Sequence, residues 1–138
     1  MGYVTRQYLA DAYTPSDDLL ITNDKEQSTG STDYIQVKEI KIIKSLYPLS
    51  TFRFKFDLKA GDIAPSYGKV YRNGVAVGTE QSNNTDAYVT KSEDIAVTNW
   101  AMNDTIELWI KAFGGHTTYT RNFRLYGVAS PFADTLGA

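Results

Sequence analysis

The sequence contains no cysteine, and this absence excludes disulfide bonds, zinc–thiolate sites and thiol catalysis. Its single histidine, His116, follows Gly114-Gly115 at an expected turn, and no nucleophile motif of the form Gly-x-Ser-x-Gly accompanies it. A solvated histidine is the simplest interpretation. Because so little of the machinery of a catalytic centre is present, we expect a protein that is not an enzyme.

An excess of one charge and long apolar runs are also missing. The 14 basic and 16 acidic residues are spread along the chain and give a net charge of −2. The sequence therefore has no basic stripe that would bind the phosphates of a nucleic acid. No apolar run is long enough to cross a bilayer, and residues 1–12 lack the apolar core of a signal peptide. We expect neither nucleic acid nor a membrane as a partner.

The acidic residues do not follow the spacing of a metal or hydrolase site. Asp57 and Glu107 fall on outward-facing positions of expected strands, where a solvated sheet face explains them best; they could act as a glycosidase pair only if they met in a cleft. With no calcium-loop spacing and no glycine-rich phosphate loop, we expect no cofactor. The loop positions that could offer oxygen ligands to calcium are Asp17, Asp18, Asp24, Asp62, Asp94 and Asp104.

Aromatic residues are abundant, at 13% of the chain, and ten of them are tyrosine. Tyrosine and phenylalanine favour strands, and tyrosine also suits binding surfaces because it combines apolar area with a hydroxyl group. A length of 138 residues fits one domain. The composition therefore favours a single β-rich domain.

Strict alternation marks several strands. Phenylalanine and leucine alternate with charged residues over 52–58, and aliphatic residues alternate over 106–112. Asn73-Gly74 tolerates the positive φ angles of a type I′ hairpin turn. In the closing strand, over residues 117–128, one face is expected to carry Tyr119, Arg121, Phe123 and Leu125.

Residues 34–44 form another expected strand, in which Val37 and Ile40 have opposite parity, so a bulge is predicted near Lys38-Glu39. Roughly eight strands joined by glycine, asparagine and aspartate turns, with no helical period after residue 13, predict an all-β, two-sheet antiparallel sandwich, either jelly-roll-like or immunoglobulin-like. We assign residues 1–32 to an N-terminal arm, 33–129 to the sandwich and 130–138 to a C-terminal tail.

Large aromatic side chains are the strongest candidates for a binding surface. Trp109 has the parity opposite to Ile106 and Leu108, so its indole faces solvent or a partner if those residues face the core; burial on both faces of a central strand is the equal alternative. Tyr67 and Tyr88 are two further large aromatic residues of interest. The residues that we expect at an interface, or stacked on a glycan, are Trp109, Trp100, Tyr71, Tyr119, Tyr3 and Tyr8.

Residues 71–79, 104–110 and 121–127 resemble segments of small β-sandwich proteins in the virions of tailed phages and related viruses. The same style occurs in prokaryotic surface proteins and carbohydrate-binding modules. The resemblance implies a structural role and no catalytic residues. The missing signal peptide and missing cysteines favour a virion subunit over a secreted module.

Two functional hypotheses follow. In the first, the protein is a decoration, capsid-associated or tail-associated subunit in a virion, forming homo-oligomers or contacting a coat or tail protein. In the second, it is an extracellular or cell-surface carbohydrate-binding module that stacks a glycan on exposed aromatic rings such as Trp109.

Overall fold

The computed structural model describes residues 19–42, 51–97 and 100–127. These residues form ten strands and include no helix long and apolar enough to span a membrane. The strands are β1 (Leu19–Asn23), β2 (Gln27–Thr29), β3 (Ile35–Lys41), β4 (Thr51–Ala60), β5 (Ser66–Arg72), β6 (Val75–Ala76), β7 (Gln81–Asn83), β8 (Val89–Ala96), β9 (Thr105–Ala112) and β10 (Thr118–Tyr126).

The strands form two antiparallel sheets, which confirms the predicted sandwich. Sheet one has the order β1-β10-β4-β8, with β2 also paired to β10; sheet two has the order β3-β9-β5-β6, with β7 also paired to β5. The successive long strands β3, β4, β5, β8, β9 and β10 lie in alternate sheets. This alternation is the jelly-roll arrangement, so it decides between the two topologies that the sequence left open.

The core lies between the sheets and follows the predicted alternation. Phe52, Phe54, Phe56 and Leu58 are buried on β4, as are Ile106, Leu108 and Ile110 on β9. Burial of these large apolar side chains is the main stabilising contribution, at about 1.5–3 kcal/mol for each. Because their neighbours along each strand point the other way, both sheets keep an outer face of polar and aromatic residues.

Two local features of the backbone also match the prediction. Asn73 and Gly74 have φ angles of 49° and 82° and join β5 to β6, as a type I′ turn requires. The register of β3 against β9 shifts between Gln36 and Lys38, next to the position where a bulge was expected.

The prediction of one continuous face along β10 is wrong. Thr118 and Thr120 point into the core in the first half of the strand, whereas Phe123 and Leu125 do so in the second half. Asn122 adopts a φ of 56°, and the pairing with β4 shifts its register at this point. The resulting bulge inserts one residue and exchanges the two faces.

Some element boundaries also differ from those expected. Within the predicted arm, residues 19–23 and 27–29 provide β1 and β2, both paired to β10. One strand, β8, replaces the two short pieces expected over 87–97, because β4 pairs with it along its whole length. Residues 1–18, with Tyr3 and Tyr8, and residues 130–138 lie outside the described residues.

Candidate functional site

The outer face of sheet two carries a group of half-buried aromatic side chains. Gly68 and Val70 of β5 point into the core, so Tyr67 and Tyr71 point outward. On β9, Trp109 points to the same side. We call this surface the aromatic face and define it by Tyr34, Tyr67, Tyr71 and Trp109.

Trp109 and Tyr71 form a stacked pair on the aromatic face. Their ring centroids are 4.3 Å apart with an interplanar angle of 14°, a stacked pair across neighbouring strands. Trp109 Nε1 donates a hydrogen bond of 2.9 Å to Glu107 Oε1, which also accepts one from the Gly74 backbone nitrogen at 3.1 Å. The indole is therefore fixed by its partners while remaining partly open to solvent.

Tyr34, just before β3, reaches across sheet two. Its hydroxyl donates a 2.6 Å hydrogen bond to Glu80 Oε1, and its ring centroid lies 6.3 Å from that of Tyr71. Burial, together with the hydrogen bond to Glu80, raises the pKa of Tyr34 well above its ordinary value. The same hydrogen bond lowers the pKa of Glu80, so the tyrosine is neutral and the glutamate is ionised at neutral pH.

Two lysines lie among these rings. Lys69 Nζ is 4.9 Å from the Tyr34 ring centroid. Lys111 Nζ is 4.8 Å from the same ring and 5.0 Å from that of Tyr67, and it forms an ion pair of 3.4 Å with Glu80. These distances are within the range of cation–π attraction, so the ammonium groups are held against the rings.

A cleft borders the aromatic face at Tyr67. It has a volume of about 490 Å³ and opens between β7 of sheet two and β8 of sheet one. Buried Asn83 supports the cleft by donating hydrogen bonds to the backbone oxygens of Leu58 and Ala87, at 2.7 and 2.9 Å. The cleft wall combines an aromatic ring with groups that can form hydrogen bonds: Pro65, Tyr67, Ser82, Asn83, Asn84, Val89 and Lys91.

The structure brings only some of the predicted aromatic residues together. Trp109 and Tyr71 share the aromatic face. Trp100 is only 7% exposed and packs 5.5 Å from the ring of Phe52, so it belongs to the core. Tyr119 lies on the outer face of sheet one, where its ring centroid is 5.1 Å from Lys59 Nζ.

Three residues of the site were missing from the sequence-based candidates. Lys69 and Lys111 share the parity of the outward aromatic residues on β5 and β9, a signal that could have identified them. Tyr34 lies just before β3 and reaches the site across β9 and β5. No local sequence pattern indicates this contact.

Two expectations about acidic residues need correction. Asp57 and Glu107 are 8% and 5% exposed, so neither is a solvated sheet residue. Asp57 accepts hydrogen bonds from neighbouring strands, and Glu107 from the Trp109 indole. They lie on β4 and β9, in different sheets and facing outward from each, so they do not form a glycosidase pair.

The other polar candidates have structural partners. His116 is half-buried, with Nδ1 2.8 Å from Asp62 Oδ1. Asp24, Asp94 and Asp104 pair with arginine side chains. Within the described ranges, no three histidine, cysteine or carboxylate side chains gather as metal ligands; Asp17 and Asp18 lie outside those ranges.

Comparison with solved structures finds similar folds among carbohydrate-binding domains. The CBM36-1 domain of a multidomain xylanase from the hindgut metagenome of Trinervitermes trinervoides matches with a TM-score of 0.55 and 13% identity, over 86% of this chain and 94% of that domain. A carbohydrate-binding module CBM36 in complex with calcium and xylotriose matches with a TM-score of 0.52 and 12% identity, over 83% and 95%.

The N-terminal cellulose-binding domain of β-1,4-glucanase C from Cellulomonas fimi matches with a TM-score of 0.50 and 11% identity, over 75% of this chain and 78% of that domain. No family model matches the sequence, and neither does any curated protein. At these identities the comparisons establish a β-sandwich fold shared with carbohydrate-binding domains.

Proposed function

We propose that the protein is a non-enzymatic glycan-binding module that holds its ligand on the aromatic face of sheet two. The observation that carries the proposal is the stacked Trp109–Tyr71 pair, half-exposed and fixed by the hydrogen bond from the indole to Glu107. The fold shared with carbohydrate-binding domains supports it.

The chemistry of the aromatic face suits a sugar ring. The apolar C–H face of a pyranose packs on an aromatic surface, and its hydroxyl groups need donors and acceptors at the edge of that surface. Tyr71 and Trp109 offer the first, while Lys69, Lys111 and Glu80 offer the second. Because the rings are already ordered, little side-chain entropy is lost on binding.

The same proposal places the protein outside the cell or at a cell surface, where polysaccharides are accessible. The virion role expected from the sequence stays a prediction, since the structural neighbours named above include no virion protein. The fold comparison therefore favours the second of the two hypotheses over the first.

The test is calorimetric titration of the full chain with soluble xylan, hydroxyethyl cellulose, mixed-linkage β-glucan and polygalacturonate. Truncating a central stacking residue costs about 2 kcal/mol, so Trp109→Ala should weaken binding about thirtyfold. Tyr119→Ala is the matched control, because it removes a half-buried aromatic ring from the opposite sheet. Its affinity should stay within twofold of the wild-type value.

Trp109→Phe helps to separate binding from folding, because it keeps one aromatic ring at this position while removing the second ring and the indole N–H. Near-ultraviolet circular dichroism and thermal melting would establish that each variant is folded. A folded Trp109→Ala protein that binds as tightly as wild type, or a wild-type protein that binds none of the four polymers, would refute the proposal.

A further inference from the structure

Three lysine side chains follow one another from the middle of the aromatic face into the cleft. Lys111 lies over the Tyr67 ring, Lys69 lies over the neighbouring Tyr34 ring, and Lys91 lines the cleft beside Tyr67. Lys111 has an ion-pair partner in Glu80. Over residues 19–42, 51–97 and 100–127, no carboxylate lies within 4.0 Å of Lys69 or Lys91.

Two carboxylates of this part of the molecule, Glu80 and Glu93, are already occupied by donors of the protein. Glu80 accepts the Tyr34 hydroxyl at 2.6 Å and pairs with Lys111. Glu93, two residues from Lys91 on β8, accepts from the backbone nitrogen and the hydroxyl of Thr79, both at 2.9 Å. Neither carboxylate forms an ion pair with Lys69 or Lys91, so the two ammonium groups can bind an anionic ligand.

The opposite end of the aromatic face has the reverse balance. Glu107 lies beside the Trp109 indole, and Glu39 on β3 is the cross-strand neighbour of Glu107. An anionic group on a ligand would be repelled there and attracted at the cleft end. The charge distribution thus gives the surface a direction along β5 and β9.

We propose that the ligand is an acidic glycan whose uronic-acid carboxylates bind to Lys69, opposite Trp109 on the aromatic face, and to Lys91 in the cleft, while a neighbouring sugar stacks near Trp109. This inference rests on the proposed function and specifies the class of glycan. Hydrogen bonds between ammonium and carboxylate groups are stronger than those to neutral hydroxyls, and the flanking rings limit the access of water to Lys69 and Lys111. The acidic form of a polysaccharide therefore binds more tightly than its neutral counterpart.

The test uses two acidic polymers, polygalacturonate and glucuronoxylan, each beside its carboxyl-reduced form, in which every uronic acid has become a neutral sugar. Titrations are run with EDTA, which prevents calcium from crosslinking the acidic chains. At low salt, at least one acidic polymer should bind tenfold or more tightly than its reduced form. Because screening weakens attraction between charges, the preference should fall below threefold in 0.5 M NaCl.

A double variant and a control test whether Lys69 and Lys91 cause the preference for the acidic polymer. The double variant Lys69→Gln, Lys91→Gln keeps most of the side-chain length and a hydrogen-bond donor at each position but removes both charges, so it should lose the preference for the acidic form. Lys25→Gln, which removes a positive charge from an exposed residue between β1 and β2, is the matched control and should retain it.

The outcomes separate this inference from the proposed function. Equal binding of acidic and reduced polymers, binding confined to neutral polysaccharides, or an unchanged preference in the double variant overturns the acidic ligand. In each case glycan binding itself stands if Trp109→Ala still weakens it. Dextran sulfate binding as tightly as the polyuronates would show that charge alone is recognised and would overturn the uronate assignment. If no polysaccharide binds, both proposals fail.

Discussion

Asp57 lies in the middle of sheet one, where its carboxylate accepts hydrogen bonds from strands on both sides. Thr90 Oγ1 on β8 donates at 2.7 Å, while Asn122 Nδ2 and Arg121 Nε on β10 donate at 2.9 and 3.1 Å. Asp57→Ala removes both acceptor oxygens, and with them all three bonds, and leaves the half-buried amide of Asn122 and the hydroxyl of Thr90 without this partner.

The cost follows from those bonds. A hydrogen bond to a charged group contributes about 1.5 kcal/mol or more, so losing those from Thr90 and Asn122 costs about 3 kcal/mol. The Arg121 side chain is 45% exposed, so the screened ion pair adds little. For a domain of this size about 3 kcal/mol lowers Tm by roughly 10 °C. Asp57→Asn should cost only about 1 kcal/mol, because its amide can donate to the Thr90 hydroxyl.

Urea denaturation and thermal melting measure both variants, with Asp94→Ala as the matched control. Asp94 pairs with Arg53 at 2.8 Å on the same outer face, but its side chain is 43% exposed. Removing this exposed carboxylate should cost less than about 1 kcal/mol. If Asp57→Ala is no more destabilising than Asp94→Ala, the bonds to Asp57 do not hold the three strands together and the reasoning is refuted.

Two further predictions concern stability. A Cβ atom on Gly68 would lie 2.8 Å from Cε2 of the buried Phe56 ring, so Gly68→Ala should lower the free energy of unfolding by about 1–3 kcal/mol. Gly30→Ala, whose nearest contact would be 3.7 Å, should change it by less than about 0.5 kcal/mol in the same urea titration; equal effects would contradict the packing argument. The hydrogen bond from Arg124 lowers the pKa of Asp24 from 3.8 to about 2, so this carboxylate stabilises the fold above about pH 4 and the contribution is lost as the pH falls to 2. Asp24→Asn should therefore flatten the fall in stability between pH 4 and pH 2, and an unchanged slope in urea melts across that range would count against it.

Local patterns were enough to predict the fold class. The alternation on β4 and β9 and the Asn73-Gly74 turn each depend on a few adjacent residues, so the sequence indicates them directly. The face exchange on β10 was missed because it depends on Asn122 adopting a positive φ. Asparagine tolerates that conformation without requiring it, so its presence alone does not predict a bulge.

The candidate site was predictable only in part. Parity indicated that Trp109 lies on the face opposite Ile106 and Leu108, because all three belong to one regular strand; its stacking on Tyr71 of β5 depends on how the strands pair. The burial of Trp100 was not predictable, since it lies just before β9 and outside any alternation. The contact of Lys69 with Tyr34 and the position of Lys91 beside Tyr67 were missed because they arise only when distant strands have been placed in their sheets.

The order of the strands in the sheets also determines when each sheet can assemble. β10 pairs with β1, β2 and β4, and β9 pairs with β3 and β5, so the strand that joins each sheet comes after residue 104. Before those strands are synthesised, only the pairing of β4 with β8 and of β5 with β6 and β7 is available. A nascent chain therefore leaves one edge of the phenylalanine-rich strand β4 unpaired until β10 has been synthesised, and folding must wait for contacts between residues far apart in the sequence.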